Sequence, residues 1–237
     1  IPIILMGIGH YGVKATNQFG LDSNSKIIVN ELLDRFPLIS VRCNGSYDYM
    51  KKFLPEKTDN ILNTSCPVIF NLENFNKNFK KKLCYDQLVV TVTDREMLKE
   101  QLPIIRFAPS FFRSKKKVLA LHQDYGNTNL QNFATKLGYE VFISKNYLDY
   151  IELYKNSDLH FGNRVHAHLK CLSLGIPSFC TPFDLRQYYF SKSIGLPLVN
   201  NEKEETLKTF EFKNFTIHQK EAKKVMDRFT NTILTYI

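Results

Sequence analysis

Residues 158–198 read DLHFGNRVHAHLKCLSLGIPSFCTPFDLRQYYFSKSIGLPL, and the fold is decided here. A short apolar run, 159–161, passes through Gly162 and Asn163 into a segment, 164–174, whose apolar residues recur at helical spacing. A second apolar run, 178–181, follows, and then a second helical segment, 185–193. Strand and helix alternating in this way are the signature of βα units wound about a mainly parallel sheet. Gly138 and Gly175 each fall between a helical segment and a strand, where a left-handed cap is needed and glycine takes it without steric cost.

The pattern extends in both directions. Runs 88–93, 118–122 and 140–143 read as strands, with helices at 129–137 and 147–155 between them. Nearer the N-terminus, 2–6, 38–41 and 68–70 read as strands and 26–36 and 46–54 as helices. Residues 219–237 place Val225, Phe229, Ile233 and Ile237 on one stripe of a long amphipathic helix. The expected fold is α/β, two Rossmann-like lobes of GT-B-like build with mainly parallel sheets and a C-terminal helix. The expected lobes are residues 1–82 and 83–237, and a single doubly wound sheet is the alternative. The chain opens on Ile within an apolar strand, so the first lobe is read as incomplete and the chain as a piece of a longer protein.

Composition narrows the partners. No run approaches the roughly 18 apolar residues of a membrane span, so no transmembrane segment is expected. Lys and Arg number 32 against 23 Asp and Glu, a net charge of +9 whose field draws anions. Clusters such as Lys80–Lys82 and Lys115–Lys117 read as solvated loops, and the basic residues form no aromatic-interleaved stripe, so nucleic acid is not an expected partner. Five widely spaced cysteines in mostly apolar runs suggest reduced thiols and a cytoplasmic setting. No CxxC pair or HExxH run offers a metal site.

The turn at 162–164 is where chemistry is expected. A strand-to-helix turn of an open α/β sheet lies at the carboxyl edge, where ligands meet helix N-termini. Asn163 lies in that turn, and Arg164 adds a planar fork suited to carboxylate or phosphate. An alternative makes Arg164 the ion-pair partner of Asp158 or Asp184. His166 and His168 are about 200° apart on a helix, so only one can face a ligand. His166 is assigned to the mouth of the site, and His168, with Lys170, to the solvated or lobe-facing side. Earlier, Arg42 ends a strand just before Gly45 and Ser46, so Arg42 is a candidate anion contact and Ser46 a candidate N-cap. The glycine-rich run 6–12, MGIGHYG, adds His10 as a further candidate, with a plain tight turn as the alternative.

These blocks resemble the polysaccharide pyruvyl transferase family. Its C-terminal signature is an acidic residue and short strand leading into Arg-Leu-His, a small-residue helix and Gly-x-Pro. Here Arg164, Val165 and His166 form the triplet, and Gly175, Ile176 and Pro177 the Gly-x-Pro. Arg42, Ser46, Cys66 and Pro67 fall where the family shows Val-Arg, a helix-starting Ser and Cys-Pro. The family's N-terminal Asn-x-Gly-Asp motif does not occur in this sequence.

The resemblance implies transfer of a pyruvyl group from phosphoenolpyruvate onto two sugar hydroxyls of a glycan, as a cyclic ketal. Arg42 and Arg164 would hold the anionic donor with Ser46, Asn163 and His10 in support. His166 would be the general acid, and no cofactor would be needed. The alternative is a nucleotide-sugar glycosyltransferase of similar build, with Asp184 or Glu152 as ribose carboxylate. A third reading is a glycan-binding lobe without catalysis. Fusion to other glycan-modifying domains fits either enzyme.

Overall fold

Residues 85–92 alternate little: Leu88, Val89, Val90 and Val92 are all buried, as a strand covered on both faces requires. They form the centre of the larger of two parallel sheets in a computed structural model, which describes residues 5–9, 23–35, 38–70, 82–93, 98–122, 126, 128–181, 185–194, 198 and 219–235. The α/β class with parallel sheets and a C-terminal helix is thus the fold of this chain.

Two compact units divide these residues. The first holds β1 (Leu5–Ile8), β2 (Ile39–Val41) and β3 (Ile61–Asn63) in a three-stranded sheet of order β1-β2-β3. Around it lie α1 (Ser23–Arg35) and α2 (Asn44–Phe53). Leu33, Ile39, Val41, Met50, Leu54 and Ile61 form its core. The second unit holds β4 (Tyr85–Val92), β5 (Ser114–Leu121), β6 (Glu140–Ile143), β7 (Leu159–Gly162) and β8 (Ser178–Cys180) in the order β6-β5-β4-β7-β8. Its helices are α3 (Leu98–Phe111), α4 (Thr128–Lys136), α5 (Tyr147–Lys155) and α6 (Val165–Ser173). All of these strand pairings are parallel, and β4 and β5 stay in register from Tyr85 opposite Ser114 to Val92 opposite Leu121.

The expected break at residue 82 needs correction. Both α7 (Leu185–Ile194) and α8 (Gln219–Leu234) belong to the first unit. Packing explains it: α8 sets Met226 and Phe229 against Leu38 and Leu62, and the Asn44 amide donates to Ser193 Oγ on α7 at 2.8 Å. The strand expected at 68–70 is instead a 3-10 turn, Pro67–Phe70, and the third strand of the sheet is Ile61–Asn63. Helix α3 was not foreseen, because Pro103 and Pro109 lie inside it. The expected left-handed caps are present, with φ of 78° at Gly138 and 76° at Gly175. Among the described residues no helix is long and apolar enough to cross a membrane.

Candidate active site

In the second unit the chain runs outward from β4 through β5 to β6, then crosses back to lay β7 on the other side of β4. The two halves of the sheet therefore diverge between β4 and β7, the switch point where open α/β sheets bind ligands at their carboxyl edge. The turn leaving β7 at that point is Gly162, Asn163, Arg164. A Cβ on Gly162 would lie 2.0 Å from the Thr91 carbonyl oxygen, and φ there is +154°, so only glycine lets β7 approach β4 this closely. The Asn163 amide donates to Thr91 O at 3.0 Å, and the Thr181 amide donates to Gly162 O at 2.9 Å. The turn is thereby fastened to strands on both sides.

Arg164 is the N-cap of α6 without a side-chain capping bond, and its carbonyl accepts from the His168 amide at 3.0 Å. Helix starts direct their first amides and positive dipole end toward the carboxyl edge of the sheet. Arg164 is half-buried there, His166 exposed and Asn163 buried. His168 is fully buried, so of its two expected settings, solvated or lobe-facing, burial excludes the solvated one. The 200° between alternate helix residues still applies: with His166 outward, His168 must face the sheet.

Beneath the turn lies a buried polar chain. Thr91 Oγ1 is 2.8 Å from His160 Nε2, and Ser178 Oγ is 2.6 Å from both His160 Nδ1 and His168 Nδ1. Period-2 alternation on β7 explains the placement: His160 faces α5 and α6 while Phe161 faces Phe112 beyond α3. Burial drives the His160 imidazole well below the usual range and holds His168 down at about 3, so both are neutral.

His122, the residue just after β5, was not expected in the site. Its Nε2 is hydrogen-bonded to the Tyr154 hydroxyl, and its ring lies 4.5 Å from that of Tyr150. Burial, then the charge of Arg164, then that of His166, lower its protonation midpoint to about 4. His122, Arg164 and His166 are thus electrostatic neighbours. Its position, ending a strand beside the switch strand, was the available sequence signal.

Two candidate carboxylates of the second unit lie away from the turn. Asp158 does not pair with Arg164: it binds Lys82 Nζ at 2.7 Å and accepts from the amides of Asp86 and Gln87 at the opposite end of β7. Burial alone would raise its carboxyl, but Lys82 and the two amides outweigh burial and lower it. Glu152 is exposed on α5, 3.6 Å from Lys155. His10 and Asp184 fall outside the described residues.

Arg42 and Ser46 belong to the first unit. Arg42 lies flat against Gly9, where an added Cβ would come within 1.8 Å of Nε, and its Cζ is 5.9 Å from the Phe190 ring centroid. Its Nε is buried without a hydrogen-bond partner among the described residues. Ser46 is not an N-cap: α2 begins two residues earlier, Cys43 caps it, and Ser46 Oγ lies buried 3.2 Å from Cys43 Sγ.

A sequence comparison assigns the polysaccharide pyruvyl transferase family to residues 1–184, a span that includes both the Arg42 region and the Arg164 turn. The chain belongs to the polysaccharide pyruvyl transferase family. None of the curated proteins compared with this pyruvyl transferase family member matches it. Among solved structures, it is similar to the UDP-GlcNAc 2-epimerase of Methanocaldococcus jannaschii in complex with UDP-GlcNAc and UDP, with 16% identity, 89% of this chain and 66% of that one covered, and a TM-score of 0.46. A variant of the wall teichoic acid polymerase TagF matches with 16% identity, 98% and 62% coverage, and a TM-score of 0.42. This family member thus spans less than two thirds of the length of either structure.

Proposed function

We propose that this chain handles the donor in transfer of a pyruvyl group from phosphoenolpyruvate to two hydroxyls of a glycan. The observation that carries the reading is the convergence of the α6 N-terminus, Arg164 and His166 on the switch point, in a chain of this family. The helix start and the guanidinium suit a ligand bearing both carboxylate and phosphate. His166, exposed at the mouth, is the acid that protonates the donor methylene carbon, making C2 electrophilic toward the acceptor hydroxyl. Arg164 neutralises the departing phosphate, so the reading calls on no cofactor. We place the reaction in the cytoplasm, consistent with the free thiols of all five cysteines.

Thermal-shift measurements with phosphoenolpyruvate and with nucleotide sugars test this. At about 100 times its dissociation constant phosphoenolpyruvate is expected to add roughly 2.7 kcal/mol of stability. Stabilisation by nucleotide diphosphates instead would make the chain a nucleotide-sugar glycosyltransferase using the same helix start.

A further inference from the structure

Making a ketal from two hydroxyls releases two protons, and the scheme above supplies an acid but no base. His122 follows β5 at the carboxyl edge of the same sheet, where the charges of Arg164 and His166 reach it. Among the described residues, the titratable and charged groups that act on it are Tyr150 and Tyr154 from α5, Arg164 and His166 from the start of α6, and His160 from β7. These neighbours are either cationic or uncharged, and the phenol of Tyr154 fixes the ring through Nε2. An imidazole oriented through one nitrogen and set among cations is arranged to stay neutral until an anion arrives.

Building on the proposed function, we infer that His122, oriented by Tyr154, is the base for the acceptor hydroxyl, and that bound donor switches it on. With Nε2–H donating to the Tyr154 oxygen, Nδ1 takes the hydroxyl proton while the oxygen's electron pair forms the bond to C2 of the donor. His166 delivers the proton that turns the methylene into a methyl. Phosphate then leaves with the C2–O electron pair and collects the proton held by His122. The second hydroxyl closes the ring on the resulting cation and returns its proton to His166. Both imidazoles end as they began, and the products are the ketal and hydrogen phosphate.

The switch follows from charge. In the empty site, burial together with Arg164 and His166 holds His122 near 4, too weak a base to act. A donor carrying carboxylate and phosphate against Arg164 cancels that positive field and strengthens the base.

Protein labelled with 13C-histidine reports this directly. The His122 resonance, assigned by its loss in His122→Gln, is expected to titrate near 4 alone and at least one pH unit higher with phosphoenolpyruvate. Should that variant not fold, Tyr154→Phe identifies the same resonance by its displacement. Tyr154→Phe is further expected to lower kcat at least tenfold while the donor KM changes less than about twofold, because the phenol orients the base without touching the donor. A midpoint that stays put although phosphoenolpyruvate stabilises the protein would overturn the inference and leave the functional reading standing. So would a folded His122→Gln with unchanged turnover and pH profile. Failure of phosphoenolpyruvate to stabilise the protein at all would remove both.

Discussion

Arg164 and His166 are separated by one residue, yet the proposed chemistry gives them different work. A guanidinium binds donor charge before and during reaction, so Arg164→Lys should raise the donor KM, since an ammonium cannot reproduce the paired fork. In the proposed reaction His166 matters only as the proton moves, so His166→Asn should leave donor affinity nearly intact while kcat falls by roughly 100-fold or more. Steady-state kinetics with phosphoenolpyruvate separate the two. Loss of donor binding at unchanged kcat in His166→Asn would make His166 a phosphate ligand. Gly162→Ala should unfold the protein at lower urea by on the order of 3 kcal/mol, because its Cβ would strike the Thr91 carbonyl in a backbone conformation L-residues avoid. Gly162, Asn163, Arg164 and His166 were legible because strand, glycine and helix start are contiguous. His122 was not, because α5 and the return of the chain to β7 bring it to Arg164 from 42 positions away.

For the elements, α6 is the piece on which the site rests. Its position depends on Ser178, whose single hydroxyl serves an imidazole from β7 and another from α6 itself. Ser178→Ala should cost about 2–6 kcal/mol in urea unfolding, since two buried ring nitrogens lose their partner at about 1–3 kcal/mol each. An apolar pocket that closed without penalty would show no change in midpoint. Elements with clear periodicity and caps were readable: α5 runs over the expected 147–155, with Asn146 accepting from the Leu148 amide at its start. The exceptions have physical causes. Prolines 103 and 109 disguise α3, and β3 has only three residues to alternate. Residues 68–70 look like a strand by composition, but Pro67 immediately before them opens a tight helical turn.

On the scale of the whole molecule, the four described histidines, 122, 160, 166 and 168, all belong to the second unit, and three of them are held neutral. Their folded midpoints lie below the unfolded value of 6.5, so the unfolded chain binds more protons and stability falls as pH drops below 6.5. For His122 the loss is complete by about pH 4 and amounts to on the order of 3 kcal/mol; His168 continues it toward pH 3. Acid should therefore open the second unit first. Pulsed alkylation checks this, because Cys43 and Cys66 are buried in the first unit and Cys171 and Cys180 in the second. At pH 4.5, Cys171 and Cys180 should become reactive before the other pair; simultaneous labelling would show that the units open together.

The return of α7 and α8 to the first unit also bears on biosynthesis. A ribosome releases the chain from its N-terminus at about 5–20 residues per second. By the time Thr181 has emerged, every described strand of the larger sheet is available, whereas Leu38 and Leu62 still lack Met226 and Phe229. The part made first is thus the part completed last, its apolar face uncovered until translation has passed residue 229. A nascent chain halted before that point should bind chaperones through the first unit, while the second already resists protease.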